Sequence, residues 1–136
     1  ADLADRVTKE NLDEAAAFAK AFAGKMNAVV AITGAIDIVA DAEKAYCIYN
    51  GRPEMSSITG TGCQLSALTA AFVTANQEQP LEAAAAAVCA MGLAGETAYA
   101  RLSELDGNAT YRNYIIDAIY RMNGEALEAG AKFEVR

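Results

Sequence analysis

A chain of 136 residues, 54% of them apolar, holds enough material for one compact domain with a core, and disorder is not expected. Its 18 acidic residues outweigh 11 basic ones for a net charge of −7, which argues against a broad nucleic-acid surface but not against one phosphate held by backbone N–H groups. Histidine is absent, and Cys47, Cys63 and Cys89 form no close pair and no CxxC, so a zinc site and a His-based triad both lack their residues.

The cysteine usage fits a reducing cytoplasm. Ala1 to Glu10 carry charges and no apolar segment, so no secretory signal is visible there. No long apolar run escapes interruption by charged or polar residues, so no membrane span is expected.

Leu12, Ala15, Ala16, Ala19, Phe22 and Ala23 recur at helical spacing, predicting a helix over Asn11–Ala23 that stops near Gly24. Ala28–Ile32 is a short continuous apolar run, the pattern of a strand buried on both faces. A helix followed by such a strand predicts an α/β sheet of mostly parallel order. Ile36–Ala40 and Ala45–Tyr49 read as two more strands, and Asn50-Gly51 as a tight turn. Arg52–Ser57 reads as a loop or short strand. Beyond Ile58 the pattern turns helical over Gln64–Ala75, from Pro80 through the alanine block to about Leu102, and over Tyr111–Met122. Lys132–Arg136 reads as a last short strand. Neither a repeat nor an interdomain linker interrupts residues 1–136, so a single domain is expected.

The chemistry concentrates in Ile58-Thr59-Gly60-Thr61-Gly62-Cys63, directly before a helix. Two glycines let the backbone turn tightly and approach a ligand with no Cβ in the way. The first N–H groups of the helix then converge on one spot where its dipole favours negative charge, and phosphate is the natural occupant. Gly60, Thr61, Gly62 and Cys63 are thus a candidate anion hole, although glycine-rich turns before helices are also common as plain structure. The segment lacks the lysine of a Walker loop and the third glycine of a dinucleotide fingerprint. Cys63 reads two ways, as a small packed hydrophobe or as a thiol polarised beside the phosphate. Asp37 reads more readily as a solvated turn carboxylate than as a group near a nucleotide, and Glu96 as an ion-pair or packing residue. Cys47, Cys89 and Met91 read as core.

Taken in order, Ala31-Ile32-Thr33-Gly34, Asp37, Asn50-Gly51-Arg52-Pro53, Ile58 to Cys63 and Gly92-Leu93-Ala94-Gly95-Glu96 resemble the hydroxyethylthiazole kinase family, over about Asn11 to Met122. The resemblance implies a ribokinase-like α/β fold, a mostly parallel central sheet flanked by helices, of which this chain is the C-terminal part. It implies transfer of the ATP γ-phosphate, with Mg2+, to the hydroxyl of 4-methyl-5-(2-hydroxyethyl)thiazole in thiamine salvage. On the matching positions, Cys63 takes the catalytic place as the presumed base. Thr33 matches an ATP contact, Gly62 belongs to the anion turn beside the phosphates, and Gly60 matches a thiazole contact.

Family members are considerably longer. The portion outside the resemblance is N-terminal and carries much of the thiazole pocket, an ATP-contacting arginine and acidic residues for magnesium, so no metal ligand is assigned here. The expectation is a chain that is incomplete and inactive alone, associated with a complementary segment or with copies of itself in a homotrimer. Another ribokinase-like kinase, or a noncatalytic fragment acting as a binding module, are the competing readings. Two departures stand out: Gly107-Asn108-Ala109-Thr110-Tyr111 replaces a family Gly-Pro-Gly-Ser-Phe, and Arg52 replaces a commoner histidine.

Overall fold

The computed structural model describes residues 7–136, so the first six residues of the charged Ala1–Glu10 stretch lie outside it. Helix α1 (Leu12–Met26) leads to strands β1 (Val30–Ile32), β2 (Asp37–Ala40) and β3 (Ala45–Ile48). A 3-10 turn (Pro53–Ser57) then precedes α2 (Thr61–Ala75), α3 (Pro80–Tyr99), α4 (Asn108–Arg121), α5 (Gly124–Gly130) and β4 (Phe133–Val135).

The strands pair in the order β1-β2-β3-β4, and every pairing is antiparallel. This corrects the parallel order expected from the succession of helix and buried strand. The connections Thr33–Ile36 and Asp41–Lys44 are too short for anything but a return of the chain beside itself, whereas parallel neighbours need a crossover of a dozen or more residues. The α/β character itself holds, because the sheet is covered on both faces. Ile38, Ala40, Ala45 and Cys47 point to α1, where they meet Leu12, Ala16 and Ala19. Val39 and Ile48 point the other way, onto Leu81, Ala84, Ala85 and Val88 of α3. Burial on both faces explains why β2 and β3 read as unbroken apolar runs instead of alternating ones. Ile38 and Val39 are wholly buried, each contributing about 1.5–3 kcal/mol by its removal from water.

Helix α3 is the centre of the molecule. One end packs on the sheet, and the other joins a second core of Ile58, Met91, Ala94, Ala98, Tyr111 and Ile115 beneath α2 and α4. Its alanines and glycines keep the helices close together. By length and composition α3 is apolar enough to cross a membrane, yet 72% of its most apolar window is buried within the fold. Helix α2 differs. None of its residues is fully buried, although Leu65, Leu68 and Val73 pack partly against the cores.

Several boundaries moved. α1 runs past Gly24 to Met26 and ends at Asn27, which takes the left-handed conformation of a C-cap (φ 48°). Gly24 has a different use, since a Cβ there would stand 3.3 Å from that of Ala42 in the β2–β3 turn. α5 was not foreseen in the sequence. It is short and bounded by glycines, but Asn123 caps it by accepting the Ala126 N–H at 2.9 Å.

Candidate functional site

α2 begins inside the glycine-rich segment, at Thr61 and not at Gln64, so Gly60 is its N-cap. Gly60 adopts φ 97°, a left-handed conformation that strains any residue with a Cβ, and it has no side chain with which to cap the helix. Its carbonyl accepts the Gln64 N–H at 3.0 Å, closing the first turn. The N–H groups of Thr61, Gly62 and Cys63 lie in the turn where a helix offers its donors no partner of its own. Thr61 Oγ1 leans back to the Ile58 carbonyl at 3.4 Å.

The space before this turn is open. A Cβ on either Gly60 or Gly62 would meet nothing within 4 Å. Gly62 has no positive φ, so neither backbone conformation nor protein packing requires glycine at that place. What glycine leaves there is room beside a row of N–H donors, which suits an oxyanion. Cys63 sits in the same turn and is exposed, whereas Cys47 and Cys89 are buried. Burial pushes the Cys89 thiol up to about 11, with the Asp37 charge adding to it, and burial raises Cys47 as well. The packed-hydrophobe description therefore fits those two and not Cys63.

Thr33 follows β1 and is exposed with Gly34. No hydrogen bond among the described residues joins it to the Gly60 turn. Asp37 departs from its expected place as a solvated turn carboxylate. It is the first residue of β2, half-buried, and its Oδ1 accepts the Gly34 N–H at 2.8 Å. Burial pushes its pKa up to about 6, against the opposing pull of that bond. The described residues assemble no group of three or more His, Cys, Asp or Glu that could hold a metal, and Asp37 has no second carboxylate beside it. No magnesium ligand is assigned among the described residues. A surface depression of about 660 Å³ lies elsewhere, lined by Leu93, Thr97 and Arg101 of α3 and Asp117, Tyr120 and Arg121 of α4.

The segment leading into the turn is held more firmly than its sequence suggested. Asn50-Gly51, expected as a tight turn, lies instead in irregular backbone that delivers β3 into the 3-10 turn, with Gly51 at a left-handed φ of 114°. Asn50 is buried at 7% exposure and fully used. Its Nδ2 donates to Glu96 Oε1 at 3.2 Å and to the Gly130 carbonyl at 3.0 Å, while its Oδ1 accepts the Lys132 N–H at 2.8 Å. The Gly51 N–H also donates to Glu96 Oε1, at 2.9 Å, and Lys132 Nζ pairs with Oε2 at 2.6 Å. Burial alone would raise the Glu96 carboxyl, but these three donors together hold it below its usual range. Glu96 is thus the ion-pair residue expected of it, with more partners than expected. Further along, the Arg52 guanidinium lies 3.9 Å over the Tyr99 ring, Met55 packs on Gly95, and Asn108 Nδ2 donates to the Ser57 carbonyl at 3.1 Å. Arg52 and Asn108 are both occupied in fastening this segment. The only sequence signal for it was the pair of glycines, Gly92 and Gly95, in an otherwise good helix former.

Comparison with known proteins bears on this geometry. Residues 5–125 match the model of the hydroxyethylthiazole kinase family. The chain is 56% identical to a hydroxyethylthiazole kinase of Clostridium acetobutylicum over 134 residues, 98% of this chain and 49% of that protein. It is 39% identical to hydroxyethylthiazole kinase 2 of Methanosphaera stadtmanae over 124 residues, 90% of this chain and 43% of that one. Among solved structures, a hydroxyethylthiazole kinase protein from Pyrococcus horikoshii OT3 superposes with a TM-score of 0.82 at 33% identity, covering 93% of this chain and 48% of its own. The chain therefore spans about half the length of the relatives it matches.

Proposed function

The chain belongs to the hydroxyethylthiazole kinase family, and from that premise we propose that it supplies the phosphoryl-transfer end of a kinase site that moves the ATP γ-phosphate to the hydroxyl of 4-methyl-5-(2-hydroxyethyl)thiazole, in thiamine salvage. The observation that carries this reading is the turn before α2: a left-handed Gly60, an open face at Gly62, and an exposed thiol at Cys63. In phosphoryl transfer a protein mainly positions groups and neutralises charge. The N–H groups of Gly62 and Cys63 would meet the charge developing on the transferred phosphoryl. Cys63 Sγ would take the proton of the attacking hydroxyl as the new O–P bond forms and the bond to ADP breaks. Thr33 would contact ATP, and Gly60 would let the thiazole approach the turn closely.

The rest of the site is part of the same proposal. An ATP-contacting arginine, most of the thiazole pocket and the carboxylates for Mg2+ would come from a complementary segment or a partner copy, in a homotrimer of a cytoplasmic enzyme. When bound, the metal would neutralise phosphate charge. The four antiparallel strands would then form one margin of a larger, mostly parallel ribokinase-like sheet, an arrangement common in large α/β sheets. Consistent with such partners, Phe18, Phe22 and Met26 are exposed on α1, and α2 buries no residue fully.

The test uses the full-length protein with Cys63→Ala and Cys63→Asp. Alanine is expected to lower turnover by about 10²–10⁴-fold with nucleotide affinity and melting temperature nearly unchanged, because an acid–base group is lost from an exposed position. Aspartate, ionised at neutral pH, is expected to retain much of the activity. Full activity of the alanine variant sinks the role of Cys63. No thiazole phosphorylation by the wild-type full-length protein would favour a noncatalytic binding module, or a different alcohol substrate.

A further inference from the structure

The fastening of residues 50–58 to α3 has a consequence for the turn it feeds. Between Gly51 and Gly60 the chain has little freedom. Glu96 holds its start, Arg52 and Met55 rest on α3, and Asn108 and the buried Ile58 hold its end. Every fastening except Glu96 is a neutral contact, a ring contact or an exposed bond. Glu96 is the carboxylate that carries an ion pair to the approach to β4, its side chain only 21% exposed. One carboxylate oxygen takes two donors from the Asn50-Gly51 bend, and the other takes Lys132 from beside β4. Gly92 sits directly under Asn50, so close that a Cβ there would lie 2.7 Å from the Asn50 carbonyl carbon. The bend can therefore neither sink towards α3 nor lift from it while Glu96 keeps its reach.

We propose that Glu96 is a positioning residue for the Gly60–Cys63 turn: its carboxylate, at the length of a glutamate side chain, sets the height of the 51–60 segment above α3 and so the placement of Cys63. This rests on the reading of that turn as the reacting end of the site. Reach and charge separate cleanly in two substitutions. Glu96→Asp keeps the charge and withdraws it by one methylene, drawing the bend inwards or breaking the Gly51 bond. Glu96→Gln keeps the length and an acceptor for Gly51 while giving up the ion pair with Lys132.

Cys63 itself supplies a readout that needs no kinase activity. It is exposed while Cys47 and Cys89 are buried, so labelling of the folded full-length protein with a thiol reagent, followed by peptide mass, reports the turn. Glu96→Gln is expected to keep both the Cys63 labelling rate and kcat within about threefold of wild type. Glu96→Asp is expected to change the labelling rate by more than about threefold and to lower kcat by about 10²-fold, the loss that a displacement of about 1 Å can cause. Wild-type labelling and turnover in Glu96→Asp overturn the proposal, whatever the melting temperature does. Equal labelling rates in the two variants do so too. If the protein phosphorylates no thiazole, the labelling result still decides the positioning role, so its failure and that of the proposed function remain distinguishable.

Discussion

Gly60 and Gly62 before α2, and Gly92 and Gly95 inside α3, look alike as small residues in a helical region, yet they are glycine for opposite reasons. At Gly92 and Gly95 another part of the chain occupies the place of the missing Cβ: the Asn50 backbone in one case, the Met55 side chain in the other. At Gly60 and Gly62 that place is empty. Around the first pair, the polar groups of Asn50, Gly51, Glu96 and Lys132 partner one another. Around the second, N–H donors face open space. A glycine required by its neighbours reports packing. Gly60 is also required by its own left-handed backbone, whereas Gly62, required neither by φ nor by packing among the described residues, reports room kept for something else.

The comparison breaks most visibly if Gly92 tolerates a methyl group. Gly92→Ala places a Cβ 2.7 Å from the Asn50 carbonyl carbon and 2.8 Å from its oxygen, neither of which can swing aside as a side-chain tip would. Overpacking of this kind costs about 1–3 kcal/mol, against which the better helix propensity of alanine returns only about 1 kcal/mol. With backbone atoms in the way, urea unfolding is expected to show a net loss of about 1–2 kcal/mol. A midpoint at or above wild type would mean that the Asn50 bend is free to move, and would undo the packing side of the contrast.

How much of this was legible follows the same division. The strands β1 to β4 and the helices α1 to α4 lie within a few residues of where the sequence placed them, and burial explains the pattern in β2, β3, α1 and α3. β1, expected to be buried on both faces, is an edge strand with Ala31 exposed, and β4 is exposed throughout. The glycine-rich turn was legible as a possible anion site because its chemistry is local. What failed to show were facts decided at long range. Strand direction depends on which strands meet, and the short connections outweighed the helix–strand succession. Asn50-Gly51 carries the composition of a hairpin turn, and nothing nearby announces that its partners are Glu96 and Lys132, 46 and 82 residues away. Asp37 looked like a turn carboxylate because its burial comes from tertiary packing. Glu96 was read correctly in kind, since a charged residue inside an apolar helix needs a partner.

Asp37 sharpens the comparison through its charge. Glu96, with three donors, is held below its usual range, whereas Asp37, with one, is raised from its ordinary 3.8 to about 6 by burial. For an acid whose folded pKa is raised, the native state binds the proton more tightly than the unfolded state. Stability attributable to this group is therefore present below about pH 4 and lost as pH rises to about 6. Asp37→Asn keeps an oxygen for the Gly34 N–H and removes the charge. It is expected to stabilise the protein by about 1–2 kcal/mol at pH 7–8, after allowance for partial exposure, and by nearly nothing at pH 4. Thermal unfolding across that range checks it, and an equal effect at both pH values would show that Asp37 is not ionised against its surroundings. If Asp37→Asn also weakens ATP binding, the carboxylate is retained at a cost to stability for the sake of the neighbouring Thr33-Gly34 loop.

The smallest expected change in stability is also the most direct test of the open side. Gly62 has ordinary helical backbone freedom, and an added Cβ there touches nothing within 4 Å. If the residue served the fold alone, Gly62→Ala would be an improvement without penalty. Alanine in the first turn of α2 is expected to raise stability by about 0.5–1 kcal/mol, through better helix propensity and a less flexible unfolded chain. The same methyl group would stand among the N–H donors where the transferred phosphoryl is proposed to lie, so activity should move the other way. A displacement of the reacting groups by about 1 Å is enough for a loss of the order of 10²-fold in kcat/KM. Melting temperature up and phosphoryl transfer down is the expected pair of results in the full-length protein. A variant that is both more stable and fully active would mean that the space before Gly62 is merely empty, and the anion site would have to be sought elsewhere.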